Sequence, residues 1–132
     1  MSGIHVEVVT PDGIRFEGDV DSCTAPGYDG EFQVLQDHAG LIGELVIGEV
    51  RLEQNGGIRY LSTGGGFIEI DKNYVNIIAE SAELAEDIEV ERAKKAEERA
   101  RRRLDEKTDI DVERAKLALA RALNRLKVAS HR

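Results

Sequence analysis

Cysteine is almost missing from this chain. Cys23 stands alone, so no internal disulfide can form, and a reducing compartment suits the protein. Long apolar runs are missing too. The longest reach only a few residues, as at Leu45-Val46-Ile47, far short of the ~20 that cross a bilayer, and the expectation is a soluble chain. The opening Met-Ser-Gly-Ile-His lacks the basic and apolar regions of a secretory signal and is too short and Arg-poor for a transit peptide, so no leader is expected. Positive charge is in deficit, with 18 basic against 26 acidic side chains and a net charge of −8. Such a surface repels phosphate backbones and anionic lipid, and a nucleic-acid binder would need a segregated basic patch. At 132 residues the chain has room for one real core, or a compact domain with a short appendage, and none for a multidomain enzyme.

Glycine, proline and aromatics run out part-way along. No glycine follows Gly66, the two prolines are Pro11 and Pro26, and no aromatic residue follows Tyr74. Residues 1–79 carry 13 acidic and 4 basic side chains, whereas residues 80–132 carry 13 and 14. Two differently built units are expected, at 1–84 and 85–132. In the first, Ile4, Val6 and Val8 alternate with polar residues, then Ile14, Phe16 and Val20 follow the turn Thr10-Pro11-Asp12-Gly13, which predicts a hairpin with one buried face. Strand-like runs continue at Glu31–Leu35, Leu45–Ile47, Val50–Glu53, Ile58–Ser62, Phe67–Ile70 and Tyr74–Ala79, with turns at Asn55-Gly56-Gly57 and Asp71-Lys72-Asn73. Short strands at this spacing predict an antiparallel β-sandwich or barrel.

The second unit repeats itself. Residues 87–104 laid over 109–126 agree at twelve of eighteen positions. Both copies are rich in Ala, Glu, Lys and Arg, which predicts two helices, with starts at Asp87 and at the capping box Thr108-x-x-Asp111. The break Asp105–Thr108 is short, so the pair should form an antiparallel two-helix hairpin. Ala93, Ala96 and Ala100 make one small-residue stripe, and Ala115, Ala118 and Ala122 its counterpart. Such a seam buries little apolar surface, since a methyl contributes only ~0.8 kcal/mol, and the hairpin should be weakly docked and movable.

Chemistry-bearing clusters are sparse. His5, His38, His131 and Cys23 have no metal-ligand spacing, so no metal site is expected. No nucleophile has an obvious base, and no G-x-S-x-G elbow is present, so no catalytic residues are expected. Gly64-Gly65-Gly66 runs into a strand and lacks the Lys-Ser or Lys-Thr of a phosphate loop, which favours a bulge or a close backbone approach. Residues 92–103 hold seven basic side chains, but Glu91, Glu97 and Glu98 precede Lys95, Arg101 and Arg102 at i,i+4 and no aromatic is near for stacking. A solvated helix, or docking on an acidic protein surface, fits better than nucleic acid.

Four strings, in this order, carry a resemblance: VVTPDG (Val8–Gly13), GEFQVLQDHAGL (Gly30–Leu41), GGGFIEI (Gly64–Ile70) and the tail NRLKVA (Asn124–Ala129). Together with the β-then-two-helix plan they resemble the epsilon subunit family of the F-type ATP synthase. Gln33, Gln36, Asp37 and Gly40 stand where that family has two glycines and two prolines. The resemblance implies a ten-stranded sandwich holding the gamma subunit and resting on the c-ring, with Glu31 and His38 at that contact. It implies no catalysis by this chain. The hairpin would extend along gamma into the alpha/beta catalytic head and inhibit ATP hydrolysis, at the cytoplasmic face of a bacterial plasma membrane. No cofactor is obligatory, but ATP as a regulatory ligand is implied by the helix-start motif I/L-D-x-x-R-A, met here by Ile88, Arg92 and Ala93 with Glu89 in place of the aspartate. Glu83, Arg99, Arg121 and Arg125 resemble the supporting residues. The second copy, Ile110-Asp111-Val112-Glu113-Arg114-Ala115, fits the short motif but lies at the wrong helix. The rival expectation is a free cytoplasmic adaptor with a sandwich and an effector-binding hairpin; a third is a small sandwich hydrolase.

Overall fold

The alternation that begins the chain becomes a strand with one dry face. In the computed structural model, which describes residues 3–106 and 111–132, β1 (Ile4–Thr10) buries Ile4, Val6 and Val8 and returns through the Thr10–Gly13 turn as β2 (Gly13–Val20), which buries Phe16 and Val20. Thr10 holds that turn: its Oγ1 accepts from the Asp12 N–H at 3.2 Å and donates to the Gly13 carbonyl at 3.1 Å. β3 (Ser22–Gly27) and β4 (Gly30–Val34) form a second hairpin, and β5 (Leu41–Gln54), β6 (Gly57–Asp71), β7 (Tyr74–Ala79) and the short β8 (Ala82–Leu84) complete eight strands among the described residues. Their order is β2-β1-β7-β6-β5-β3-β4, with β8 on β6. The inner faces of all eight contribute to one core, from Val6 and Val8 through Val50, Leu52 and Leu61 to Ile68 and Ile77. A β-sandwich results.

Two expectations change here. The resemblance implies ten strands and the described residues hold eight: of the eight runs expected from the sequence, Leu45–Ile47 and Val50–Glu53 lie on one unbroken 14-residue strand and Ile58–Ser62 and Phe67–Ile70 on one of 15, leaving six. The sheet is mixed rather than wholly antiparallel, since β1 pairs with β7 in parallel. And β3 and β8 carried no periodic signal. Two turns stand where expected: β5 joins β6 through Asn55 and Gly56, and β6 joins β7 through Lys72 and Asn73, all four at positive φ, the backbone of a tight two-residue hairpin turn. Gly64 and Gly66 mark close backbone approaches, against Ser81 and against the Ile78 carbonyl. Cys23 is fully buried, which pushes its thiol up to about 12, so it stays protonated and unreactive at neutral pH.

After β8 the chain makes a 3₁₀ turn, Ala85–Asp87, and only then enters α1 (Val90–Glu106). Helix does not begin at Asp87, because Ile88 is extended and 3% exposed, seated with Ala85 against Val128 and Ala129. α2 spans Val112–Ala129, and Asp111 caps it by accepting from the Arg114 N–H at 3.1 Å. Thr108, the other half of the expected capping box, lies outside the described residues, as does Ile110 of the second motif copy. Asp105 belongs to α1 rather than to the break. α2 packs on the sheet, where Asn124 donates to the Gly48 carbonyl at 2.7 Å, and just past its end Arg132 donates to the Ile88 carbonyl, ahead of α1, at 3.0 Å. The seam is partly as expected. Ala93, Ala100, Ala115 and Ala122 are buried, but Ala118 is exposed, because burial on α2 follows 115, 119 and 122 at alternating four- and three-residue steps.

Candidate functional site

The docked hairpin, β8 and the first β-turn enclose a cavity of about 600 Å³. β8 supplies Glu83. The extended entry to α1 supplies Ile88 and Glu89, and the first turns of that helix supply Arg92 and Ala93 on its inward face. Arg99 follows two turns from Arg92, and Arg125 comes across from α2. Thus seven of the eight residues expected at a nucleotide site line one space. Arg121 is the eighth. It does not line the cavity; its guanidinium donates instead to Glu80 at 3.2 Å.

The charges in the cavity are mixed. Arg125 is paired with Glu83 at 2.9 Å, both about one-third exposed, and this pair ties α2 to β8. Arg92 and Arg99 have no ion-pair partner among the described residues, so their forks are free to meet an anion. A guanidinium presents its donors in a plane that suits phosphate oxygens. On the solvent face of α1, Arg101 pairs with Glu97 at i,i+4, while Glu91 takes Lys94 at 3.8 Å rather than Lys95. At the hairpin's root Arg59 of β6 donates to Glu86 at 2.7 Å, which holds that carboxyl below its usual range.

Glu31 and His38 stand on successive segments, each with its own partner. Glu31 lies on β4, held by Arg51 at 2.8 Å, and that hydrogen bond is the main reason the Arg51 guanidinium is raised further. His38 lies in the following loop, 35–40, where its Nδ1 faces the Ala39 carbonyl at 2.7 Å. The Asp37 N–H donates to Asn73 Oδ1 at 2.6 Å, which pins this loop to the β6–β7 turn. Leu35, Leu41, Ile42 and Tyr74 stand exposed on the segments around that clasp. A second apolar feature crosses the outer face of the sheet. Ile14, Val9, Ile78 and Phe67 are register partners in one row over β2, β1, β7 and β6, and all but Val9 are more than half exposed.

Two family models together match residues 3–130 of this chain. "ATP synthase, Delta/Epsilon chain, beta-sandwich domain" covers residues 3–85, and "ATP synthase, Delta/Epsilon chain, long alpha-helix domain" covers residues 86–130. The chain belongs to the ATP synthase delta/epsilon family. A relative named ATP synthase epsilon chain from Anoxybacillus flavithermus is 49% identical over 107 residues, 81% of this chain and 80% of the relative. Another of the same name, from Halalkalibacterium halodurans, is 46% identical over 106 residues, 80% of each. The fold is shared with a chain in the cryo-EM structure of Euglena gracilis mitochondrial ATP synthase, OSCP/F1/c-ring in rotational state 1. The TM-score is 0.76 over 100% of this chain and 83% of that one, at 22% identity.

In this epsilon-type chain Asp37 stands where the family motif has a glycine, and it takes that role at φ +63°. The side chains of Asp37 and Asn73 reinforce the loop across the turn. The epsilon motif points to the helices and to Glu83, but the cavity has more walls. Ser81 and Ala82 close it beside Glu83, Asp12 reaches it from the β1–β2 turn, and Arg15 from the start of β2. Nothing in the linear pattern joins a turn at residue 12 to a helix at residue 92. The fold brings them close, with β8 pairing antiparallel to β6 and leading into the helices.

Proposed function

We propose that this chain is the non-catalytic central-stalk subunit of a proton-translocating F-type ATP synthase, peripheral to the cytoplasmic face of a bacterial plasma membrane. Its sandwich grips gamma and the c-ring, and its hairpin regulates ATP hydrolysis by the alpha/beta head. The observation that carries the regulatory half is the cavity: Arg92, Arg99 and Arg125 share one space only while both helices lie folded on the sheet. A nucleoside triphosphate bound there favours the docked form, because a ligand shifts an equilibrium by its differential affinity for the two states. When ATP is scarce the hairpin opens, reaches along gamma and presents its basic side chains to the head. The small seam, with alanines as its fully buried members, keeps the two forms within reach of such a ligand.

The coupling half rests on the sandwich. The apolar row Phe67, Ile78, Val9 and Ile14 suits a lasting protein contact of the kind gamma would make. The loop end, with His38 and its exposed leucines, suits the ring. Crosslinkers placed at Glu31 and His38 in the assembled enzyme should capture the c-ring or gamma; capture of neither would remove these residues from the contact.

Among the described residues the sandwich core contains no helix residue, and the hairpin's own buried cluster, Ala85, Ile88, Val128 and Ala129, is separate from it. A chain ending at Leu84 is therefore expected to fold, to bind gamma and to support proton-coupled synthesis, while hydrolysis in its complex loses inhibition at low ATP. Membranes carrying the truncated subunit provide the measurement. An unfolded truncation, or one that leaves inhibition intact, would overturn this division of labour. The free-adaptor reading makes a different demand, since an adaptor need not co-purify with membrane-bound ATP synthase.

A further inference from the structure

The cavity's least expected wall is the one the sheet provides. β1 and β2 pair in register from Ile4 with Val20 up to Val8 with Phe16, and then Val9 pairs with Ile14. Between those last two pairs β2 has one residue more than β1. That residue is Arg15. A bulge of this kind leaves one residue outside the ladder and re-aims its side chain. Ile14 is exposed on the outer face and Phe16 is buried in the core, whereas Arg15 follows neither and lines the cavity. Its only ion-pair partner among the described residues is Asp12, at 3.7 Å, itself 82% exposed. An exposed pair at that separation holds a guanidinium loosely. The turn that carries Asp12 is firm, however, because Thr10 closes it with two hydrogen bonds, and Arg15 follows it two residues into β2. Arg15 is thus a weakly paired cation just beyond a fixed turn, lining the same cavity as two unpaired arginines of α1.

We infer that Arg15 is a ligand-binding residue of this cavity, donating to the phosphate oxygens of the bound nucleoside triphosphate from the sheet side. This rests on the nucleotide reading of the cavity and adds to it. The helix-start motif supplies contacts only from the hairpin and the strand next to it. With Arg15 engaged, the triphosphate becomes a strut between the hairpin and the first β-turn, and holds the hairpin to the sandwich as well as one helix to the other. Asp12 then sets a threshold, since the ligand must draw Arg15 away from a carboxylate that is already its neighbour.

The test is calorimetry on the full-length isolated chain with ATP and, separately, AMP, comparing the parent with Arg15→Gln and Arg15→Lys. One charge-assisted phosphate contact is worth about a tenfold change in affinity. Arg15→Gln is expected to weaken ATP binding by about that factor and AMP binding by much less, with Arg15→Lys in between because it keeps the charge and loses the fork. Arg15 is 40% exposed, so the thermal unfolding of the variants should match that of the parent. Equal ATP affinity in parent and Arg15→Gln overturns the role of Arg15 while leaving the cavity a nucleotide site. An equal loss for AMP and ATP also overturns it, because the contact would then not be to the outer phosphates. Failure of the parent itself to bind ATP up to millimolar concentration overturns both readings together.

Discussion

Gly66→Ala is expected to cost more stability than any other single-methyl addition at a glycine of this chain. Gly66 sits at φ +152°, and a Cβ built there overlaps the Ile78 carbonyl oxygen and lies 2.8 Å from Ala79 Cα and 3.0 Å from the Ile78 carbonyl carbon. All three atoms are backbone of β7, directly across the ladder, where Gly66 is the register partner of Ala79. No side chain can swing aside. Relief requires that β6 and β7 separate next to Ile68, Ile77 and Ala79, all in the core. The loss should exceed about 3 kcal/mol, in the range reserved for strain and core disruption. Gly13→Ala is the matched control: φ is +123° but nothing lies within 4 Å, so it carries backbone strain alone, about 1 kcal/mol. Urea unfolding of the three chains measures both. A Gly66→Ala midpoint close to that of Gly13→Ala would show that β6 and β7 are not held as tightly as the ladder requires.

The same residue shows how much was legible from the sequence. Three successive glycines entering a strand announced a close approach, though not which carbonyl would be met. Alternation located β1, β2 and β7, because each has one wet and one dry face. It could not locate β3, Ser22-Cys23-Thr24-Ala25-Pro26-Gly27, of which only Thr24 escapes full burial, since a strand covered on both faces does not alternate. Pro26 hid it further. A proline argues against a central strand, and β3 lies between β4 and β5. It is tolerated because the β3–β5 ladder skips from Thr24 to Gly27, so the absent N–H falls in the gap. The helix seam was legible as a choice of small residues and misread in phase at Ala118. Seven of the cavity's lining residues were named by the family resemblance, six between Glu83 and Arg99 and one, Arg125, on α2. Arg15 could not be named in this way, since its role depends on a bulge that no linear pattern records.

Arg125→Ala is expected to have the largest functional effect of the substitutions around the cavity. It removes a cation from the wall and also breaks the 2.9 Å pair that joins α2 to Glu83 of β8. Glu83 is then left as an unpaired, partly buried carboxylate facing the place where the phosphates should lie. Loss of a charge-assisted contact is worth about 1.5–3 kcal/mol, and the added repulsion acts in the same direction. The affinity of the isolated chain for ATP should fall by a factor on the order of 100. In the assembled enzyme, inhibition of hydrolysis should become nearly independent of ATP. Arg121→Ala offers the contrast. Its partner is Glu80 and it does not line the cavity, so ATP affinity should stay within about threefold of the parent, the effect of one exposed ion pair. If calorimetry finds the two variants equally impaired, the ligand sits lower on α2 than the cavity places it. If neither is impaired, the hairpin answers to a different signal.

The central claim, that ATP holds the hairpin on the sandwich, is tested most directly by following compaction of the isolated chain. Fluorophores at Glu17 of β2 and Lys116 of α2, both exposed, report the separation of hairpin and sheet. Cys23 is buried and protonated, so it can remain in place while new cysteines are labelled. Titration with ATP should raise energy transfer saturably, and Arg125→Ala should shift the midpoint to far higher ATP. Energy transfer that stays constant up to millimolar ATP, in a chain that is otherwise folded, would contradict the account.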